Sequence, residues 1–270
     1  MPTPLAADEL RLAVLDMALA AGSGHIGGSF SSAEILAVLY REVLRVDPLN
    51  PDWPDRDRLI LSKGHAAPML YACLSERGFF KREVLDTLRD LGSPLQGHPC
   101  MFKLPGIDMS TGSLGMGLSV GVGMALAFRA QKKDARVYVV LGDGELQEGM
   151  NWEALMSLMR WNLTSVTPII DLNGVQLDGI VEEILPGQTD MMSKLKGFGL
   201  AVTTCDGHDA RSIREAFDWA RNAGTPHAVV AHTVKGKGVS FMEGQAAWHG
   251  KPLSREEYLN ARAEIEGRRV

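Results

Sequence analysis

Residues 135–161 read ARVYVVLGDGELQEGMNWEALMSLMRW, and the fold turns on how they are parsed. A β-branched run ends at Gly142-Asp143-Gly144. Apolar residues at helical spacing then follow from Gly149, which predicts a strand feeding a helix through a turn with a carboxylate at its centre. The same grammar recurs downstream. VTPIIDL (166–172) reads as a second strand and ends in Asn173-Gly174. GLAVTTCD (199–206) reads as a third, DARSIREAFDWARNAG (209–224) as a helix, and PHAVVAHT (226–233) as a fourth strand. Strands alternating with helices predict a parallel sheet, and runs apolar at every position suit strands buried on both faces. The fold class is therefore α/β, a doubly wound parallel sheet with helices on both faces.

Upstream the texture is helical and loop-rich. Helices are expected over 6–21, 32–44, 67–76 and, briefly, 81–90, with the prolines of LNPDWPDRDR (49–58) interrupting them. We read 1–270 as a single domain with an N-terminal helical extension over about 1–110. Between the zones, GSLGMGLSVGVGMALAFRAQ (112–131) crowds glycine onto a predicted helix. Each glycine there costs about 1 kcal/mol against alanine, so close packing or an approaching ligand must account for them.

Composition narrows the function. The 270 residues are 45% hydrophobic and 23% charged, with a net charge of −5 and no basic run, which disfavours a nucleic-acid surface. Cys73, Cys100 and Cys205 are widely spaced and odd in number, as expected of reduced thiols in a cytoplasmic protein. No apolar stretch is long enough to span a bilayer, and the N-terminus lacks the basic start of a signal peptide.

In open parallel sheets, ligands bind beyond the carboxyl ends of the strands. Asp143 and Asn173 stand at two such ends. A carboxylate and an amide oxygen together suit Mg²⁺, which takes its remaining ligands from phosphate and water. Asp-Gly and Asn-Gly are also the commonest turn dipeptides, so either motif alone reads first as a turn, and only the two together at corresponding strand ends bring the ligand reading level with it. Five of the seven histidines touch glycine: His25, His65, His98, His208 and His249. Glycine-flanked loops can push an imidazole into a cleft, where several together bind phosphate oxygens and move protons. His227 and His232 fall on a predicted strand and read as packing residues, and His208 reads as part of a helix-start loop before the N-cap Asp209. Zinc-protease spacing, dinucleotide and P-loop fingerprints and a serine nucleophile elbow are all lacking.

LGDGELQEG followed by DLNGVQLDG resembles the thiamine-diphosphate motif. SGHIGG, DRLILSKGHAAPMLYACL, LQGHP, LPGIDMSTGSLGMGLSVGVGMA and WHGKP are similar, in the same order, to the N-terminal half of transketolase. The resemblance covers most of the chain from about residue 20 to 250. It implies that Asp143, Asn173 and the Val175 carbonyl hold Mg²⁺ (or Ca²⁺ or Mn²⁺), and that His65 and His249 meet the diphosphate of thiamine diphosphate. Gly112, Leu114 and Gly144 would line the cofactor, and His25, His98 and His249 would form a substrate funnel for sugar hydroxyls. Glu148 would join a proton relay across a subunit interface, or else serve only as a first-turn helix acid. Ile26 replaces the proline common after the first histidine of the family. The pyrimidine-binding domain has no counterpart here, so the resemblance implies a separate C-terminal subunit, an α2β2 heterotetramer and sugar phosphate substrates. Other thiamine enzymes, such as deoxyxylulose-phosphate synthases or 2-oxoacid enzymes, and a non-catalytic cofactor-binding module stay open as alternatives.

Overall fold

The computed structural model describes residues 7–187 and 190–268. Its centre is a five-stranded, all-parallel sheet of order β1-β2-β3-β5-β4, with β1 Arg58–Leu61, β2 Val137–Gly142, β3 Val166–Leu172, β4 Ala201–Asp206 and β5 His227–His232. Alternation along each strand divides the core. Tyr138, Val140, Ile169, Val229 and Ala231 face one side, and Val137, Val139, Leu141, Ile170 and Val230 the other.

Helices cover both faces. Against the first pack α1 (Ala7–Ala21), α2 (Ile26–Ser31), α3 (Ala33–Val38) and α4 (Ala67–Glu76). Against the second pack α5 (Met116–Ala130) and α6 (Gly149–Arg160), followed in the chain by α7 (Val181–Ile184) and by α8 (Met191–Gly197), which joins that same layer. Two later helices, α9 (Ala210–Asn222) and α10 (Arg255–Gly267), return to the first. Both faces of β2, β3 and β5 are covered, which is why these strands read as largely apolar runs, whereas β4, at the edge of the sheet, leaves Thr204 and Asp206 exposed. Among the described residues no helix is long and apolar enough to cross a membrane.

Three local readings differ from expectation. The segment read as helices and loops contains β1, which the sequence does not announce. Its apolar part, Leu59-Ile60-Leu61, is too short to show a period. It becomes a strand by pairing with β2, Arg58 opposite Val137, across an intervening stretch that holds α4 and α5. The helix expected over 32–44 is α3 followed by a wider π-type turn at Leu39–Val43, with α2 ending just before it, and the one expected over 81–90 is a 3₁₀ turn at Arg82–Thr87. The helix expected over 6–21 is α1, and Ala6 lies outside the described residues. His227 is fully buried and bonded to Thr167 Oγ1 (2.9 Å), as a packing residue should be. His232 is exposed, because it ends β5 beyond the cover of the helices.

Two glycines of α5 explain themselves by contact. A Cβ on Gly117 would clash with Ser62 Oγ, and one on Gly121 would stand 2.8 Å from Val139 Cγ2. Both let α5 lie close against β1 and β2. Gly123 faces open space, and nothing in this chain requires it.

Candidate active site

The carboxyl ends of β1, β2, β3 and β5 each deliver part of one cavity of about 300 Å³. Lys63 and His65 follow β1, Asp143 and Gly144 follow β2, Asn173 and Val175 follow β3, and Lys235 follows β5. Leu114, Glu148 and His249 also line it. Two other clefts, beside Trp152 and Phe198 and beside His208 and His232, are more open.

Asp143 is buried and bridges two strand ends. Its Oδ1 accepts from Gly144 N (2.8 Å) and its Oδ2 from Gly174 N (2.5 Å). Burial, reinforced by the charge of Asp171, pushes its carboxyl up to about 6. Asn173 Oδ1 accepts from Val175 N (3.1 Å), and the Val175 carbonyl accepts from Lys235 Nζ (3.1 Å). The turn reading and the ligand reading are thus both expressed, because these backbone N–H groups fix oxygens that still line the cavity.

Two buried lysines do not stand out in the sequence. Lys63 pairs with the wholly buried Asp171 and donates to Gly28 O (2.7 Å). Asp171 also accepts from Ser31 Oγ (2.6 Å) and Thr233 Oγ1. Burial raises the Asp171 carboxyl, but Lys63 and these bonds outweigh it and hold the group below the usual carboxylate range. Lys235 has no such partner. Its ammonium touches the Val175 carbonyl and His249 Nδ1 (3.1 Å) and forms no ion pair with a described carboxylate. Burial, then the charge of Lys63, lowers it to about 8. The signal available in the sequence is a lysine flanked by glycine just past a strand, in SKGH and TVKGKG. Glu145, in GDGE, is a third residue that sequence reasoning missed. It accepts from Ser62 Oγ, Gly115 N (2.9 Å) and Gly142 N (3.0 Å), so one buried carboxylate ties together three of the loops behind the cavity.

Four of the glycine-flanked histidines converge. His65 and His249 lie 4.7 Å apart by ring centroids, and His25 stands 5.5 Å from each. His98 is 6.4 Å from His25. Gly112, at φ 135°, brings its backbone against the His98 ring, where a Cβ would stand 2.9 Å away. Desolvation holds all four imidazoles neutral, helped for His25 and His98 by Arg89 and for His249 by Lys235. His25 and His249 are lowered to about 4. His208 stands apart. Its Nδ1 meets Glu34 (2.9 Å) and its Nε2 accepts from Val234 N (2.8 Å), while Asp209 caps α9 as expected. Glu148 is exposed at the N-cap of α6, and its carboxylate does not cap the helix. Gly144 lines the cavity beside Gln176.

The donor set fits a cation held by phosphate. Asp143, Asn173 and Val175 offer three oxygens, the hard ligands Mg²⁺ takes. Beside them an unpaired, buried ammonium demands an anion. These features define the class: an α/β domain for a diphosphate cofactor, with neutral imidazoles beside it.

Known proteins agree with that class. Residues 3–267 match the family described as "Transketolase, thiamine diphosphate binding domain", and the chain belongs to it. It is 45% identical over 246 residues to the 6-deoxy-6-sulfo-D-fructose transketolase subunit SqwG of Clostridium sp. (strain MSTE9), covering 91% of this chain and 89% of that one. It is 40% identical over 267 residues to an apulose-4-phosphate transketolase subunit of Phocaeicola vulgatus, covering 98% and 94%. The solved transketolase of Leishmania mexicana superposes with a TM-score of 0.89 at 32% identity, over 96% of this chain and 40% of that one. The chain therefore spans nearly all of the subunit relatives and less than half of that longer transketolase. It is a thiamine diphosphate-binding domain of a transketolase, an enzyme that transfers ketol units.

Proposed function

We propose that this chain is the diphosphate-binding subunit of a two-subunit transketolase that moves a two-carbon ketol unit between sugar phosphates. The observation that carries the reading is the meeting, in one cavity, of the Asp143, Asn173 and Val175 oxygens with the unpaired ammonium of Lys235, next to four neutral histidines. In this reading Asp143, Asn173 and the Val175 carbonyl hold Mg²⁺, for which Ca²⁺ or Mn²⁺ can substitute. Lys235, whose ammonium lies in the same cavity, would supply a charge to the diphosphate, and His65 and His249 would meet the same group. Gly144, Leu114 and Gly112 line the cofactor. Thiamine diphosphate, when bound, supplies the electron sink for carbon–carbon cleavage.

The chain's own residues bind and orient the sugar. His25, His98 and His249 are neutral at pH 7, so each can donate one N–H to a hydroxyl or carbonyl oxygen and accept at its other nitrogen. Glu148 stands at the exposed rim, where it can pass a proton to a neighbouring chain. Leu114 and Leu177 line the cavity yet are exposed, and Met116, Met150 and Ile180 are exposed nearby in the chain. An apolar rim around a polar site suits a second subunit closing over it, one that carries the pyrimidine-binding domain. We propose an α2β2 assembly, with the whole described chain acting as one domain in the cytoplasm, where Cys73, Cys100 and Cys205 stay reduced.

The test is reconstitution. The chain is assayed for ketol transfer alone and with a pyrimidine-domain subunit, and thiamine diphosphate with Mg²⁺ is titrated calorimetrically into both. Activity only in the mixture is expected. Enzyme-like turnover by the chain alone would overturn the two-subunit reading, and no cofactor binding even in the mixture would favour a non-catalytic module.

A further inference from the structure

Arg89 is a cation without an acid. Its guanidinium forms no ion pair with a described carboxylate, and instead donates to Ser23 Oγ and sits with Nη2 3.2 Å from His25 Nδ1. The residue is held at φ 66°, in the left-handed region that a side chain as large as arginine seldom adopts. Gly97 makes room for the head group, since a Cβ there would stand 3.1 Å from Nε and 3.2 Å from Nη2. The backbone of Arg89 donates to Leu95 O (2.8 Å), which fixes the loop that carries it. A strained, packed arginine is thus aimed at one nitrogen of one histidine.

A guanidinium has N–H donors and no acceptor. Nδ1 of His25 must therefore be the accepting nitrogen, and in the neutral ring the single proton belongs on Nε2. That nitrogen faces the loop of His249, where a Cβ on Gly250 would stand 3.8 Å from it. The charged and titratable groups around the ring are Arg89, Lys235, His65, His98 and His249. None of them is a carboxylate that would favour the imidazolium.

We propose that Arg89 is a positioning residue that fixes His25 as the Nε2–H tautomer, so that the imidazole offers a hydrogen-bond donor to a sugar oxygen entering the histidine cluster. The sugar rests on the function proposed above, whereas the tautomer does not. It is measured on the full chain without cofactor or sugar, so the two readings fail separately.

The experiment is two-bond ¹H–¹⁵N NMR on chain labelled at histidine nitrogens, with His25 assigned by its loss in His25→Gln. In the unmodified chain, Nδ1 of His25 should show the shift of an unprotonated nitrogen and Nε2 that of a protonated one. In Arg89→Met the two shifts should move toward each other as the second tautomer becomes populated, and Arg89→Lys, which keeps an N–H donor, should restore the original pattern. A purely structural role for Arg89 would leave the tautomer unmoved. An Nδ1–H tautomer in the unmodified chain would overturn the proposal whether or not the variants fold. So would a folded Arg89→Met chain with an unchanged His25 pattern.

Discussion

The Asp143 carboxylate accepts from Gly174 N at 2.5 Å, so one side chain locks the loop after β2 to the loop after β3. This link holds Asp143 and Asn173 on a common cavity. Asp143→Ala should weaken Mg²⁺-dependent binding of thiamine diphosphate by at least roughly tenfold. It should leave the fold intact, because lost bonds to two backbone N–H groups are offset by relief of a buried carboxylate. Calorimetry with and without Mg²⁺ measures the first effect and circular dichroism the second. Unchanged affinity would remove Asp143 from the metal site.

Lys235 is a buried ammonium whose contacts are neutral, so the fold carries its desolvation cost without the Coulombic return of an ion pair. Lys235→Met should raise the thermal midpoint of the cofactor-free chain, worth about 1–2 kcal/mol, and yet weaken diphosphate binding. A simultaneous loss of stability and affinity would mean that Lys235 serves packing instead.

His98 is exposed at the mouth of the cluster, and its ring rests on the Gly112 backbone. With a C-terminal subunit present, His98→Ala should lower kcat/KM by roughly 10²-fold while cofactor affinity stays near that of the parent. An effect confined to thermal stability would make His98 a structural residue.

Acid should act through the histidine cluster. His25 and His249 titrate near 4 in the folded chain and near 6.5 when unfolded, so the unfolded state binds more protons between those values. Stability from keeping them neutral is present above about pH 6.5 and is lost as pH falls toward 4. Screening at these half-buried rings limits the effect to about 1 kcal/mol each. Asp143, raised to about 6, opposes it, since the folded chain takes up that proton more readily. Denaturant unfolding at pH 7 and pH 4.5 should therefore show a smaller loss for the His25→Gln/His249→Gln variant than for the parent. Equal losses would place acid sensitivity elsewhere.

Gly117 tests the frame behind the site. A Cβ there would clash with Ser62 Oγ and disturb the Ser62–Glu145 bond, so Gly117→Ala should destabilise by about 1–3 kcal/mol. Gly197, in α8, has open space, and Gly197→Ala should be neutral or stabilise by up to about 1 kcal/mol. Thermal denaturation of the pair decides it, and equal midpoints would mean the packing at Gly117 is loose.

Much of this was legible from particular residues. Val137 to Leu141 and Val166 to Leu172 announced parallel strands, since a strand covered on both faces is apolar at most positions on both. Gly142-Asp143-Gly144 and Asn173-Gly174 marked the strand ends, because glycine and its neighbours there set the turn. β1 stayed hidden. Three apolar residues carry no period, and only pairing with β2 makes them a strand. Lys63, Lys235 and Arg89 were hidden for a related reason. A charge looks the same in sequence whether water or a cavity surrounds it.

Strand–helix alternation, the family motifs and the glycine-flanked histidine loops are written in residue order, since these depend on local period and turn chemistry. Which charges are buried without partners, which imidazoles meet and which nitrogen of His25 faces a cation emerge only on folding. Those are properties of distance and desolvation between residues far apart in the chain. They come into being when the ends of β1, β2, β3 and β5 are brought to one edge of the sheet.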